Sequence, residues 1–310
     1  MIEKDDIVQK IASERIDRQV RAQSNAAYFA AHNAEFAALY HKLTDLEVAY
    51  AGAFDDASRQ AEIKEEKQKV NESLNALLSR AKIDRKEVFF VPVCEKCADT
   101  GFLSDGSFCD CVIKRWINES IENCGLSPYR GVDLGNVSFA TGRQQQEDIE
   151  KLYGVLKNYA ARYPDVKNKN IVLIGGTGTG KSCALAALGM ELLKNGNTVL
   201  FISSCALSEL FLKYHRASPE IKPYLFEDIL GVDYLIIDDL GVEPIYKNVS
   251  EQYLLYVLNI RAERGLGTAV STNLPEEKLT EKYNDRIASR LLDTSRSWVK
   301  RLNGNDLRRQ

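Results

Sequence analysis

Asn170-Ile-Val-Leu-Ile174 runs without interruption into Gly175-Gly-Thr-Gly-Thr-Gly180-Lys181-Ser182. The first five residues read as a short buried strand, and the next eight fit G-x-x-x-x-G-K-[ST] without deviation. Closely spaced glycines let a backbone curl until its N–H groups converge on one point. A helix predicted from Lys181 to Asn195 adds the positive end of its dipole there. The stretch therefore predicts a triphosphate cradle. Gly175, Gly176, Thr177, Gly178, Thr179 and Gly180 wrap the phosphates. Lys181 reaches the β- and γ-phosphates, and the Ser182 hydroxyl ligates Mg²⁺. Cys183 follows on the helix, is counted with the nucleotide-binding residues and is expected to pack beneath the loop. A chance glycine-rich turn would carry the same letters, but not the strand and helix on either side.

Reading outward, strands and helices alternate after residue 148. A helix over 146–162 precedes the loop. Beyond it come a strand over 198–203, helices over 205–229, a strand over 232–238, a helix over 249–264, a strand over 267–272, a helix over 283–292 and a last strand over 297–302. Alternation of this kind predicts a five-stranded parallel sheet with helices on both faces. Tyr234-Leu-Ile-Ile-Asp238-Asp239 is an apolar strand ending in two carboxylates. Asp238 is placed to hold the magnesium shell and Asp239 to polarise the attacking water, against the plainer reading of a solvated turn. Ser271-Thr-Asn273 ends the next strand, where Asn273 could meet the γ-phosphate or orient water. Arg286 and Arg290 lie four apart on one helix face, and spacing alone favours surface ion pairs with Asp285 and Asp293.

The chain before residue 148 has a different texture. Gly52 is the only glycine before Pro92, the first proline, so the first ninety residues nearly lack helix breakers. Phe36, Tyr40 and Leu43 recur at helical spacing, as do Leu74, Leu77 and Leu78. Two or three amphipathic helices are expected over 4–83, with a break near 52–58; a plain bundle or coiled coil has the same composition. From Val88 the text becomes Cys94-Glu-Lys-Cys97, then Cys109-Asp-Cys111, so four of the seven cysteines fall within eighteen residues. C-x₂-C followed by C-x-C supplies four thiolates for a closed, structural Zn²⁺ site; an iron–sulfur cluster is the alternative, and a redox dithiol lacks a βαβ setting. Cys124, Cys183 and Cys205 read as buried or partly buried thiols. The divisions are 1–87 helical, 88–125 metal-binding, 126–147 linker and 148–310 nucleotide-binding.

The net charge of −3 argues against a protein that coats nucleic acid generally, while leaving room for a local basic stripe. Lys213-Tyr-His-Arg216 is such a stretch, suited to backbone contact and base stacking or simply to a solvated helix end. No apolar run approaches the roughly 20 residues of a membrane span, and the polar start is no signal peptide, so a cytoplasmic setting is expected.

Taken together, these motifs resemble the DnaC/DnaI-type bacterial replicative helicase loaders, AAA+ ATPases of the IstB/DnaC-like kind. Cys94-Glu-Lys-Cys-Ala-Asp-Thr-Gly-Phe102 with Cys109-Asp-Cys111 looks like the zinc segment of the Gram-positive members. Leu235-Ile-Ile-Asp-Asp-Leu-Gly241 and Ser271-Thr-Asn-Leu274 look like Walker B and sensor I, and Gly304-Asn-Asp-Leu-Arg308 like the C-terminal signature. The resemblance implies ATP hydrolysis with Mg²⁺. It makes Asn273 sensor I, Arg290 an arginine finger acting on the neighbouring subunit's ATP, and Arg308 sensor II. It further implies self-assembly through the ATP sites, single-stranded DNA as a ligand, and a hexameric replicative helicase bound through residues 1–125. Asp239 departs from the glutamate of most AAA+ proteins, though not from this family. An adenine pocket is placed near 137–139 by analogy. The rival with the same core is an IstB-type transposition helper, which generally lacks the cysteines; a nucleotide-gated switch with little turnover is the other.

Overall fold

The computed structural model describes residues 2–135 and 143–307, and it divides into two compact units, Ile2–Trp116 and Ile117–Gln310.

In the first unit, α1 (Lys4–His32), α2 (Ala34–Gly52) and α3 (Ala57–Ala81) are three helices. Two breaks separate them. The expected one follows Gly52, and Asp56 caps α3 by accepting from the Arg59 N–H at 2.9 Å. The other is at Asn33, whose Oδ1 accepts from the Phe36 N–H at 2.9 Å and caps α2. Phe36, Leu43, Leu74, Leu77 and Leu78 interlock in one core with Ala26, Val70 and Val88, while Tyr40 packs at its edge. Each Phe, Leu or Val side chain among them contributes about 1.5–3 kcal/mol when fully buried. A single turn, α4 (Arg85–Val88), leads into the cysteine segment, and α5 (Asp110–Asn123) leaves it.

The second unit carries α6 (Arg143–Arg162), β1 (Asn170–Gly175), α7 (Lys181–Lys194), β2 (Val199–Ser203), α8 (Ser204–Arg216), α9 (Lys222–Gly231), β3 (Tyr234–Leu240), α10 (Ser250–Glu263), β4 (Gly267–Thr272), α11 (Glu276–Leu292) and β5 (Ser297–Leu302). All five strands are parallel, in the order β2-β3-β4-β1-β5. Strand residues alternate between faces. Val172, Ile174, Leu235, Ile237 and Val270 pack with apolar residues of α8 to α11, whereas Ile236 meets α7 at Gly189. This is an α/β core with a five-stranded parallel sheet, with a helical region and a four-cysteine cluster before it.

Several elements differ from their sequence reading; β3, for instance, runs Tyr234–Leu240 where 232–238 is expected. The helix before β1 starts at Arg143, not Gln146. α11 starts at Glu276, seven residues early, and kinks at Asn284, where φ is +69°. The Asn284 carboxamide accepts from the Arg286 and Ile287 N–H groups, so a cap lies inside what looks like one helix. The stretch read as a linker also has packed residues: Leu126 is fully buried against Gly189, and just before the stretch the Cys124 carbonyl accepts from the Phe201 N–H at 2.7 Å.

Candidate nucleotide site and cysteine cluster

Strand order places the chemistry. β4 lies between β1 and β3, so the C-terminal ends of all three open on one edge of the sheet. Those ends carry the glycine loop, Asn273 and the two aspartates. They line a cavity of about 410 Å³ with Thr177–Cys183, Tyr129 and Leu307, a size within the usual range for ligand sites.

Gly178 (φ +77°) and Gly180 (φ +90°) hold a conformation costly for any side chain, and so make the loop's curl. Thr179 ties the loop to itself by donating to the Gly176 carbonyl at 2.9 Å. Lys181 is buried. Its Nζ donates to the carbonyls of Gly175 (2.8 Å) and Gly176 (2.7 Å) and to Asn273 Oδ1 (2.7 Å). The contact with Asn273 joins residues 92 apart in sequence and positions the ammonium over the loop.

The β3–β4 register shifts between Ile237 and Leu240, and Asp239 within that irregularity has φ +54°. A bulge of this kind re-aims side chains at a strand end, and here both Asp238 and Asp239 line the cavity. Ser271 sets both: its hydroxyl donates to Asp238 Oδ1 at 2.5 Å and accepts from the Asp239 N–H at 2.8 Å. Ser204 donates to the Asp239 carbonyl at 2.7 Å. The turn that follows is held by Glu243, buried, which accepts from the Gly241 N–H at 2.8 Å and pairs with the Tyr283 hydroxyl just before the α11 kink.

Ser182 and Cys183 both line the cavity, so Cys183 faces the site with the nucleotide-binding residues rather than packing beneath the loop. Cys124 is buried, whereas Cys205 is exposed, against its reading as buried or partly buried. Arg286 and Arg290 are not in the cavity; both are exposed on α11 and border a groove of about 570 Å³ with Leu255, Asn259 and Asp285. Among the described residues, neither lies within salt-bridge distance of an acid, although Arg290 is among the groups that hold the Asp293 carboxyl below its ordinary value, after the Ser295 hydrogen bonds. Arg308 and the adenine segment 137–139 lie outside the described residues. In the basic tetrad, the Tyr214 ring already stacks on Phe226 at 3.8 Å, with Lys222 Nζ at 5.4 Å.

Tyr129 was not foreseen. It sits in a 3₁₀ turn, Ser127–Tyr129, with its ring against Phe201 at 5.1 Å. Burial, with Asp238 and Asp239 nearby, pushes its phenol up to about 12, so it stays protonated at neutral pH. Leu-Ser-Pro-Tyr reads as a turn, and nothing in it signals a site 50 residues downstream.

The cysteine cluster closes within the first unit. Cys94 Sγ lies 3.7 Å from Cys109 Sγ, Cys97 Sγ lies 3.6 Å from Cys111 Sγ, and all four sulfurs fall within 4.8 Å of one another. A tetrahedron of thiolates at about 2.3 Å from zinc has edges of about 3.8 Å, so the donor set fits that ion. The Cys97 backbone N–H holds the Cys94 thiol down at about 7, while burial pushes Cys111 up. Gly101, at φ +85°, turns the chain between the pairs, and its carbonyl accepts from the Cys109 N–H at 2.8 Å. Asp99 is the organiser. Its buried carboxylate accepts from the N–H groups of Val93 (2.9 Å) and Cys94 (2.8 Å) and from Arg18 on α1 (2.6 Å).

Against known proteins, residues 138–310 match the family described as IstB-like ATP binding protein. The chain belongs to that family. The chain is also similar to the replicative helicase loader DnaC of Escherichia coli, at 26% identity over 164 residues, covering 53% of this chain and 66% of DnaC. It is also similar to a putative insertion sequence ATP-binding protein, y4uH, of Sinorhizobium fredii, at 31% over 148 residues, covering 46% of this chain and 57% of that one. The chain thus spans two thirds or less of these relatives. Among solved structures, that of DnaI aligns over 58% of this chain and 92% of DnaI, with TM-score 0.44 and 22% identity. That of AMPPCP-bound DnaA from Aquifex aeolicus aligns over 58% of this chain and 52% of DnaA, with TM-score 0.48 and 19% identity. The IstB-like match falls within the second unit and holds the glycine loop, Asp238, Asp239 and Asn273. No helix among the described residues is long and apolar enough to cross a membrane.

Proposed function

We propose that this chain is an ATP-dependent loader of the hexameric replicative DNA helicase onto single-stranded DNA, acting in the cytoplasm, with ATP binding driving assembly and hydrolysis driving release. The observation that carries the reading is the convergence of Lys181, Asn273 and the Asp238–Asp239 pair on one cavity, in a chain similar to a replicative helicase loader. Residues 175–180 wrap the phosphates, Lys181 neutralises the β- and γ-phosphates, and Ser182 and Asp238 hold Mg²⁺. The metal supplies charge neutralisation on the phosphate oxygens. Asp239 accepts the proton of the attacking water, and Asn273 keeps Lys181 in position. Arg290 is exposed on α11 and away from its own chain's cavity, which suits a finger inserted into a neighbour's site; Arg308 completes the site as sensor II. Cys94, Cys97, Cys109 and Cys111 hold a structural Zn²⁺ with no open position, and residues 2–116 form the helicase-binding unit.

An IstB-type transposition helper is the second reading, favoured by the similarity to the insertion sequence protein. A switch with little turnover is the third. DNA contact through Lys213–Arg216 would rest on its cations, since the Tyr214 face is taken by Phe226. Capture with an Asp239→Asn trap from the source cell separates the first two: a hexameric helicase should dominate the bound fraction, and a transposase in its place overturns the loader reading. Arg290→Ala should leave nucleotide binding near its original level and lower assembly-stimulated hydrolysis by about 10³–10⁵. Unchanged stimulated turnover would remove Arg290 from its role, and no turnover under any condition would favour the switch.

A further inference from the structure

The segment after β5 returns to the phosphate loop. The Leu307 N–H donates to the Gly178 carbonyl at 2.9 Å, and the Leu307 side chain lies against Gly180. One residue earlier, the Asp306 carboxylate occupies the space that a Cβ on Gly178 would fill, its Oδ1 being the nearest atom. The segment is anchored beside the loop by a reciprocal pair: Gln145 on α6 donates to the Asn305 carbonyl at 3.0 Å, and its Oε1 accepts from the Asn305 N–H at 3.2 Å. A carboxylate is therefore held against the loop whose glycine curl and helix dipole suit it to anions.

We infer that Asp306 is a residue of the nucleotide site that sets affinity by charge, opposing the nucleotide's phosphates at Gly178. The inference rests on the reading of this loop as the ATP site. Two charges of one sign a few ångströms apart at a partly solvated site repel appreciably. Gly178 is then required twice, once for its positive φ and once because any side chain would collide with Asp306. The arrangement keeps ATP affinity below what the loop alone would provide, so the nucleotide exchanges more readily. Asn305 and Leu307 attach through backbone groups, which Asp306→Asn leaves in place.

Equilibrium binding of a fluorescent ATP analogue with Mg²⁺ tests this on the full chain, comparing the unmodified protein with Asp306→Asn, Asp306→Glu and Lys181→Ala. Asp306→Asn is expected to tighten binding on the order of tenfold at low salt, with the gain shrinking as ionic strength rises. Asp306→Glu, which retains the charge, should bind within about threefold of the unmodified protein. Unchanged or weaker binding by Asp306→Asn, or a gain independent of salt, overturns the inference. If the unmodified protein fails to bind the analogue, or Lys181→Ala binds it equally well, the loop is not the ATP site and the underlying reading fails instead.

Discussion

The cysteine cluster and the nucleotide site are built in opposite ways. The four thiols lie within eighteen residues, and turns at Asp99 and Gly101 bring them together, with Arg18 of α1 as an anchor from outside the segment. The nucleotide site gathers Tyr129, Lys181, Asp238, Asn273 and Leu307 from five separate segments, and a five-stranded sheet is needed to do it. A site closed by local turns has little core of its own and relies on a metal for stability. A site at a sheet edge inherits rigidity from strands that are buried for other reasons.

This contrast can be broken by substitution. On the proposed zinc reading, Cys97→Ser should have the largest effect, because a structural zinc site contributes on the order of 10 kcal/mol to folding its segment. Loss of the first unit's thermal transition, with zinc release read by a chromogenic chelator, is the expected result; a retained transition would make the cluster dispensable. Asp99→Ala sharpens the same side. It leaves Arg18 and two N–H groups without their acceptor, and should cost about 1–3 kcal/mol, measured by denaturant unfolding with zinc present.

On the other side, Ser271→Ala should leave the fold intact, since the sheet and not the hydroxyl holds β4. It removes the group that orients both aspartates, and outer-shell losses of this kind typically lower metal affinity or activity by about 10- to 100-fold. A Mg²⁺ titration of ATP hydrolysis reads it, and an unchanged Mg²⁺ requirement would show that the aspartates need no such clamp.

Much of this was legible beforehand. The strand into Gly175, the aspartate pair ending β3 and the alternation of elements are local or periodic patterns, and the five strands fall at the expected places. The cluster of four cysteines is legible because its spacing and its geometry are nearly the same thing. The cap at Asn284 was not, because one asparagine in a run of good helix formers carries no periodic signal. The early start of α11 was missed because residues 276–282, though rich in helix formers, hold a single apolar residue, Leu279, and so show no apolar period. Tyr129, Glu243 and Asp306 were missed for a common reason: each acts through a partner far along the chain or buried beneath a turn.

By itself, the sequence determined which groups are present for phosphate and metal chemistry, and that strands and helices alternate around them. Those properties follow from side-chain type and from periods of a few residues. The tertiary structure alone decided that Asn273 holds Lys181, that Ser271 clamps Asp238, and that Asp306 lies against Gly178. Each of these depends on strand order and on where the chain returns after β5, which no spacing of residues along the chain encodes.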